Sequence, residues 1–437
     1  MGKKKDLHNL VIYEIYTRNH SPQGDFQGVI DDLERIRQLG VDIIWLMPIH
    51  PIGKVNRKGT LGSSYAIADY KAINPEYGTE EDFVRLLSSA HALGLKVMMD
   101  VVYNHTSPDS VLARDHKEWF QLDEAGNPKT SVPDWSDIVE LDHSHSGLRA
   151  HLLDAIRKWT RLGVDGFRCD VASLVPLELW LKARAAAATI NPAVIWLAES
   201  VHVDWVAERR KQDLFAISDS ELYQVFDITY DYDICRAWER VLIGELDVDY
   251  YLDLVHMQDG IYPDDYVKLR YVENHDMDRI MKSAPSRQQA LAWTAFSAFN
   301  KGAWLIYAGQ EAASPIKPSH FDKDPIPWGA YELSDFIRKL AGLKKFPAVE
   351  HGMLLWLASK PTIQAVWFDP AESLIGIFNT AAVKGETPTS IPDGTYQDLL
   401  SGEDLIIEDG RLKAPLSAYV FTCRLTERPL ERAKLLI

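Results

Sequence analysis

The chain has 437 residues, 46% of them hydrophobic and 25% charged. That is the balance of a globular protein with a sizeable core, long enough for two to four domains or for one large barrel with attachments. Its 63 Asp and Glu against 47 Lys and Arg give a formal charge of −16, which disfavours nucleic acid and anionic membrane as partners and leaves a neutral ligand open.

The start, MGKKKDLHNL, is basic but has no apolar stretch and no small-residue cleavage site, so no secretory leader is read and a cytoplasmic location is expected. A chain trimmed of its leader would read the same. Gly2 lacks the Ser or Thr of a myristoylation signal. No apolar run reaches the ~18 residues of a membrane helix. Cys169, Cys235 and Cys423 form neither a disulfide framework nor a metal-ligand spacing and are expected as free thiols.

Val11–Tyr16 is expected as a strand. Helical spacing follows over Val29–Leu39 and stops at Gly40, and a strand over Asp42–Met47 stops at Pro48. A helix over Glu81–Leu93 ends at Gly94 and leads into a strand over Leu95–Val102. The same pair recurs as Leu148–Leu162, stopped by Gly163, and Val164–Val171. Leu177–Ala187 is helical, with Pro176 near its start, and Val194–Ala198 is a strand. Leu222–Ile228, Val267–Val272 and Ala303–Tyr307 complete eight strands over about 300 residues.

Near-continuous apolar strands with helical crossovers mean a parallel sheet covered on both faces, and eight such units predict an α/β (β/α)8 TIM barrel. A doubly wound open sheet is the alternative, but no G-x-G-x-x-G turn follows the first strand. Two regions break the alternation. The 42 residues between Asn104 and Gly147 are too many for an ordinary βα loop and read as a small inserted subdomain, 104–147. From Pro347 the pattern becomes short alternating runs, such as Ile363–Phe368, Leu374–Phe378 and Tyr419–Leu425, separated by turn signals. Residues 347–437 are therefore expected as an all-β C-terminal sandwich, which leaves 1–103 and 148–346 for the barrel.

Catalytic groups of such a barrel lie where its strands end. Here those ends collect Asp100 through His105, Arg168 to Asp170, Glu199, and Glu273 to Asp276. Asp170 and Glu199 are 29 residues apart, one βα repeat, and Asp276 lies 77 further on, room for two. Arg168 and Asp170 share one face of their strand, so the guanidinium favours an ionised Asp170. Cys169 then points to the helices. Glu199 follows the apolar run Val194–Ala198, a setting in which a carboxyl holds its proton. One ionised and one protonated carboxyl over a barrel mouth is the machinery of glycoside hydrolysis. Any one of these acids alone reads equally as a helix cap or loop partner; the set carries the argument.

Four ordered segments then make a pattern: Asp100-Val101-Val102-Tyr103-Asn104-His105; Gly166-Phe167-Arg168-Cys169-Asp170; Ala198-Glu199-Ser200; and Asn274-His275-Asp276. With Gly62-Ser63-Ser64-Tyr65 and Asp69-Tyr70 upstream, the sequence resembles the α-amylase superfamily, glycoside hydrolase family 13, over nearly its whole length. Its nearest likeness is to intracellular α-amylases and maltodextrin-degrading enzymes. The resemblance implies Asp170 as nucleophile, Glu199 as acid/base and Asp276 as stabiliser of the distorted sugar. It implies Tyr65, His105, Arg168, His275 and Arg279 as substrate-binding or orienting groups, with Asp100 structural. The implied reaction is retaining cleavage of an α-glucosidic bond in an oligosaccharide or α-glucan, α-1,4 ahead of α-1,6.

The departures bear on metal and substrate. Many α-amylases carry Lys-His shortly after the nucleophile; here Ser173 and Leu174 stand there. Of the family's calcium positions only Asn104 matches, so no cofactor is required and Ca²⁺ is the alternative. Val171 leans toward short or branched substrates. Val132 to Asp137 sits where the family carries a subfamily motif, and matches no version of it cleanly; Trp135 is a candidate for lining the cleft, a packing Trp being the alternative. His143 and His145 lack a third ligand and read as loop, and Asp322 and Asp324 read as solvated loop carboxylates or substrate contacts. A transglycosylase on the same scaffold is the second functional reading. A non-catalytic barrel used for interaction is the third. The sequence leaves oligomeric state open.

Overall fold

A computed structural model describes residues 7–433; the basic start with Gly2 lies outside them. In chain order the first strands are β1 (Val11–Ile15), β2 (Ile43–Leu46) and β3 (Lys96–Val101), then a pair, β4 (His105–Thr106) and β5 (Val139–Glu140). They are followed by β6 (Gly166–Cys169), β7 (Ile195–Ala198), β8 (Ile228–Tyr230), β9 (Lys268–Arg270) and β10 (Ala303–Tyr307). Eight of these close into a parallel barrel in the order β1-β10-β9-β8-β7-β6-β3-β2, while β4 and β5 form a separate antiparallel sheet between β3 and β6. Two four-stranded antiparallel sheets fill the segment from Met353 to Cys423. The TIM-barrel expectation holds, with an all-β C-terminal part.

The alternation along each strand builds two layers. Ile12, Trp45, Met98, Leu197, Leu269 and Leu305 fill the barrel interior. Their neighbours Tyr13, Ile44, Val97, Trp196 and Trp304 pack outward in the larger core. Local signals set the crossover helices. Thr79 and Asp82 form a reciprocal capping box at the start of the helix Glu80–Ala92. The helix Ser146–Leu162 ends at Gly163, whose φ of 109° needs a residue without Cβ.

Two expected elements differ. The stretch Leu222–Ile228 is not a strand. Leu222 ends a helical turn whose Ser218 and Glu221 make a capping box, and pairing begins only at Ile228. Phe226 is fully buried against Trp180 and Trp196, so the apolar signal there is packing, not sheet. The helix read over Val29–Leu39 is two short helices, Phe26–Ile30 and Leu33–Gln38. Asp32 stands between them, holding His20 at 2.9 Å and Arg35 at 2.6 Å. Among the described residues no helix is long and apolar enough to cross a membrane.

Leu197 is fully buried in the barrel interior, two residues before Glu199. Leu197→Ala is expected to lower stability by about 2–5 kcal/mol, read as a shift of denaturant midpoint with an unchanged slope.

Candidate active site

The site begins with strand register. Asp100 on β3 pairs with Arg168 on β6, and Cys169 with Ala198 on β7. Phe167 and Cys169 pack outward in the large core, so Arg168 and Asp170 face the barrel axis. Glu199 follows Ala198 with its amide on the Cys169 carbonyl at 3.0 Å. The three cysteines are free and buried.

Arg168 is completely buried. Its Nη1 donates to Asp100 Oδ1 and Oδ2 at 3.0 and 3.1 Å and to Asp170 Oδ1 at 2.9 Å. Its Nη2 lies 3.1 Å from Glu199 Oε2, an ion-pair contact off the line of a hydrogen bond. Trp45, Tyr230 and Tyr65 surround the guanidinium, their ring centres 5.1, 5.3 and 5.7 Å from it. Burial pushes the carboxyls of Asp100, Asp170 and Glu199 upward, and Arg168 pulls each of them back. One positive charge among three buried carboxylates leaves the group able to keep a proton near neutral pH.

The expected contrast between Asp170 and Glu199 is therefore softer in the structure. Glu199 is not in a purely apolar setting. Besides Arg168, its Oε2 accepts the Val171 N–H at 2.7 Å. Val171 reaches that position with φ 34° and ψ 46°, a left-handed conformation that β-branched residues rarely adopt.

His275 sits between two acids. Its Nδ1 meets Glu14, and its Nε2 lies 2.9 Å from the Tyr65 hydroxyl and 3.2 Å from Asp276 Oδ2. Burial opposes its charge, but Asp276 and Glu14 outweigh that and hold its pKa up to about 9. The Tyr65 hydroxyl donates to Asp100 Oδ2 at 3.0 Å, and its ring stacks on His275 at 5.4 Å and 14°. Asp276 is the open member of the acid set, with 46% of its side chain exposed. His275, and after it His320, Arg168 and Lys317, hold its carboxyl below the usual range against what burial it has. His105 is the opposite case. Burial alone drives its pKa down to about 3, so its ring is neutral, with Nε2 3.9 Å from Asp170 Oδ2.

These groups border a cavity of about 250 Å³. Tyr65, His105, Asp170, Glu199, His275 and Asp276 all line it, and so do Val171 and Trp135. Trp135 leans on His105 at 5.5 Å and edge-on to Trp205 at 5.9 Å. Asp100 and Arg168 lie beneath.

Arg279 does not reach the cavity, contrary to the expected substrate contact. It is fully buried, with Nη1 on Glu273 Oε1 at 2.7 Å and Nη2 on the Ala308 carbonyl at 2.6 Å, so it ties the segment after β9 to the end of β10. Asp322 and Asp324 are loop fasteners: Asp322 Oδ1 accepts from Thr60, and Asp324 Oδ2 from the Ser319 amide. His143 is half-buried, and His145 faces Asp142 at 3.6 Å.

Asn104 shows no calcium cradle. Its Nδ2 lies 3.3 Å from His105 Nδ1 and its carbonyl accepts the Leu141 N–H at 3.0 Å. Among the described residues no group of three or more His, Cys, Asp or Glu could hold a metal, whereas Ca²⁺ wants six to eight oxygens.

Sequence reading missed Glu14, Lys58, Asp137, His320 and Phe321. Glu14 carries a signal, a lone charge inside an apolar strand, which must be paired when buried. Asp137 ends the segment already read as the place of a subfamily motif, and Lys58, His320 and Phe321 line the cavity from loops and carry none.

The description "Alpha amylase, catalytic domain" matches residues 14–135 and 133–320, and "Bacterial Alpha amylase C-terminal domain" matches 358–421. The chain belongs to the α-amylase family. It is similar to the alpha-amylase MalA of Haloarcula japonica, 30% identical over 353 residues, covering 76% of this chain and 48% of that protein. The crystal structure of an alpha-amylase from Lactobacillus plantarum is 41% identical with a TM-score of 0.91, covering 96% of this chain and 100% of that one. That of a noncanonic maltogenic alpha-amylase, AmyB, from Thermotoga neapolitana is 34% identical with a TM-score of 0.84, covering 95% and 99%. The chain spans about half to three-fifths of the length of the curated relatives it matches first.

The charge on His275 has a consequence for this α-amylase family member. Its folded pKa of about 9 lies above the ordinary 6.5. Its contribution to stability is therefore complete below about pH 6.5 and is lost as pH rises toward 9. Thermal melts of wild type and His275→Gln are expected to differ most at pH 6 and to converge near pH 9. A constant difference across that window would contradict the assignment.

Proposed function

We propose that this protein is a retaining glycoside hydrolase acting on α-glucosidic bonds of malto-oligosaccharides or α-glucans, α-1,4 first. The observation that carries the reading is one buried guanidinium touching both Asp170 and Glu199 at the floor of a cavity whose rim holds the open carboxylate Asp276. In a retaining enzyme the two working carboxyls stand only ~5–5.5 Å apart, and a shared Arg is a means of holding such a pair close.

In this reading Asp170 is the nucleophile. Arg168 opposes the rise that burial imposes on it and fixes Oδ1, while Oδ2 faces neutral His105. Glu199 is the acid. Its two protein contacts fall on Oε2, so Oε1 is the oxygen that carries the proton. In the first step Asp170 attacks the anomeric carbon, the glycosidic C–O bond breaks, and the Glu199 proton passes to the departing oxygen. In the second, Glu199 takes a proton from water, the hydroxide oxygen bonds the anomeric carbon, and Asp170 leaves. Asp276 and the His275 imidazolium bind sugar hydroxyls, contacts that strengthen as the ring distorts. Tyr65 and Trp135 offer aromatic faces to the ring. No step passes through a metal ion.

Residues 104–147 and 347–437 are taken as units attached to the barrel, supported by the β4-β5 sheet and the two C-terminal sheets. Transfer to a second sugar is the other reading. It is favoured by one feature, the half-buried rings of Trp135 and Trp205 packed on the buried group of Val171, Val201 and Val206, aromatic rings on which an acceptor sugar can stack in place of water.

Product time courses from maltoheptaose, with panose and isomaltose in parallel, test the reading. Shortening of maltoheptaose that falls by about 10²–10⁴ in Glu199→Gln and is lost in Asp170→Asn supports hydrolysis. Products longer than the substrate support transfer. No cleavage of any α-glucoside overturns both.

The pH profile tests the roles separately. kcat/KM on maltoheptaose is expected to be bell-shaped, because acid protonates Asp170 and alkali strips Glu199. With an α-glucosyl fluoride, whose leaving group needs no proton, the alkaline limb should move to higher pH. Identical alkaline limbs on both substrates would remove Glu199 from the acid role.

A further inference from the structure

The mouth of the barrel is walled on one side. The loop after β2 carries Lys58 across the rim, with Nζ 2.6 Å from the Asp134 carbonyl and 3.1 Å from Asp137 Oδ1, both in the segment between β4 and β5. The same Nζ lies 5.9 Å from the Phe321 ring centre in the loop after β10. The loop is also fastened directly to that second loop. Leu61 and Gly62 donate to the Phe321 carbonyl at 2.9 and 3.0 Å, and Thr60 donates to Asp322 Oδ1 from its amide at 2.8 Å and its hydroxyl at 2.6 Å. Asp137 is buried and Lys58 a third exposed, and the backbone bonds fasten the loop besides this pair. Lys58, Asp137 and Phe321 all line the cavity.

Barrel order fixes which end of a bound sugar meets the clasp. Its pieces rise from β10, β2 and β3, in the sector that runs from β10 through β1 and β2 to β3. Glu199 follows β7, which stands across the ring of eight strands from β1. Glu199 protonates the departing oxygen, so the leaving sugar lies on its side and the donor's non-reducing end points at the clasp.

Resting on the hydrolase reading above, we propose that the Lys58 clasp closes the donor end of the cleft, so that the enzyme takes chains from their non-reducing ends and releases short units.

The test uses reducing-end-labelled maltoheptaose, free and with its non-reducing end blocked by a 4,6-O-ethylidene group, products being followed by chromatography. Wild type is expected to cut the blocked substrate at least 100-fold more slowly than the free one. A variant with residues 55–59 replaced by Gly-Gly should raise the blocked-to-free ratio at least tenfold. Lys58→Met, which keeps loop length, should raise it less. Equal rates on both substrates with wild type overturn the proposal whatever the variants do. A folded loop variant with an unchanged ratio overturns the clasp as the cause. Cleavage of neither substrate by wild type overturns the hydrolase reading, and this one with it.

Discussion

The Arg168 guanidinium is the interaction on which the site depends. A buried positive charge is costly unless it is paired, and a buried carboxylate equally so. Here one charge is set among Asp100, Asp170 and Glu199. The mismatch of one against three is useful. Two more cations would balance all three carboxylates, and without Arg168 burial would push each further up unopposed by it. With one, the group holds both a base and a proton. The rings of Trp45, Tyr65 and Tyr230 around the guanidinium keep water from screening it and fix its plane.

That arrangement needs the barrel. Asp100, Arg168 and Glu199 come from three adjacent strands, β3, β6 and β7. A slip of one residue in the β3–β6 register would turn Arg168 outward and bring Cys169 in. The outward faces prevent it: Phe167 and Cys169 are fully buried in the layer under the helices. Packing chemistry on one face thus fixes charge placement on the other.

Much of this was legible in the sequence. The strand ends named Asp100, Asp170, Glu199 and Asp276, and two-residue periodicity put Arg168 beside Asp170. The misreadings have physical causes. Leu222–Phe226 is as apolar as a strand, but its burial is supplied by Trp180 and Trp196 and not by strand partners. Arg279 is implied as a site residue by the family resemblance, yet its charge is consumed by Glu273. Glu199 follows an apolar run, but the side chain leaves the sheet at its top edge and meets Arg168, which no local window shows. The rim residues Lys58, Asp137 and Phe321 come from three loops far apart in sequence, and loops carry no periodicity.

Val171 ties together Asp170 and Glu199, the pair proposed as nucleophile and acid. Its left-handed backbone, φ 34°, is a strained choice for a β-branched residue, of order 1–3 kcal/mol. The strain is local, but its benefit is not. By turning the chain directly after Asp170, it aims the Val171 amide at Glu199 Oε2, so the strand that carries one carboxyl also orients the other. The Val171 side chain packs with Leu174 and Val201, and Ala172 returns an N–H to the Glu199 carbonyl at 2.9 Å. Relaxing the turn would therefore move both carboxyls relative to each other. The proposed displacement, which needs them on opposite sides of one anomeric carbon, tolerates little such movement, and that is a physical reason to sustain strain at Val171.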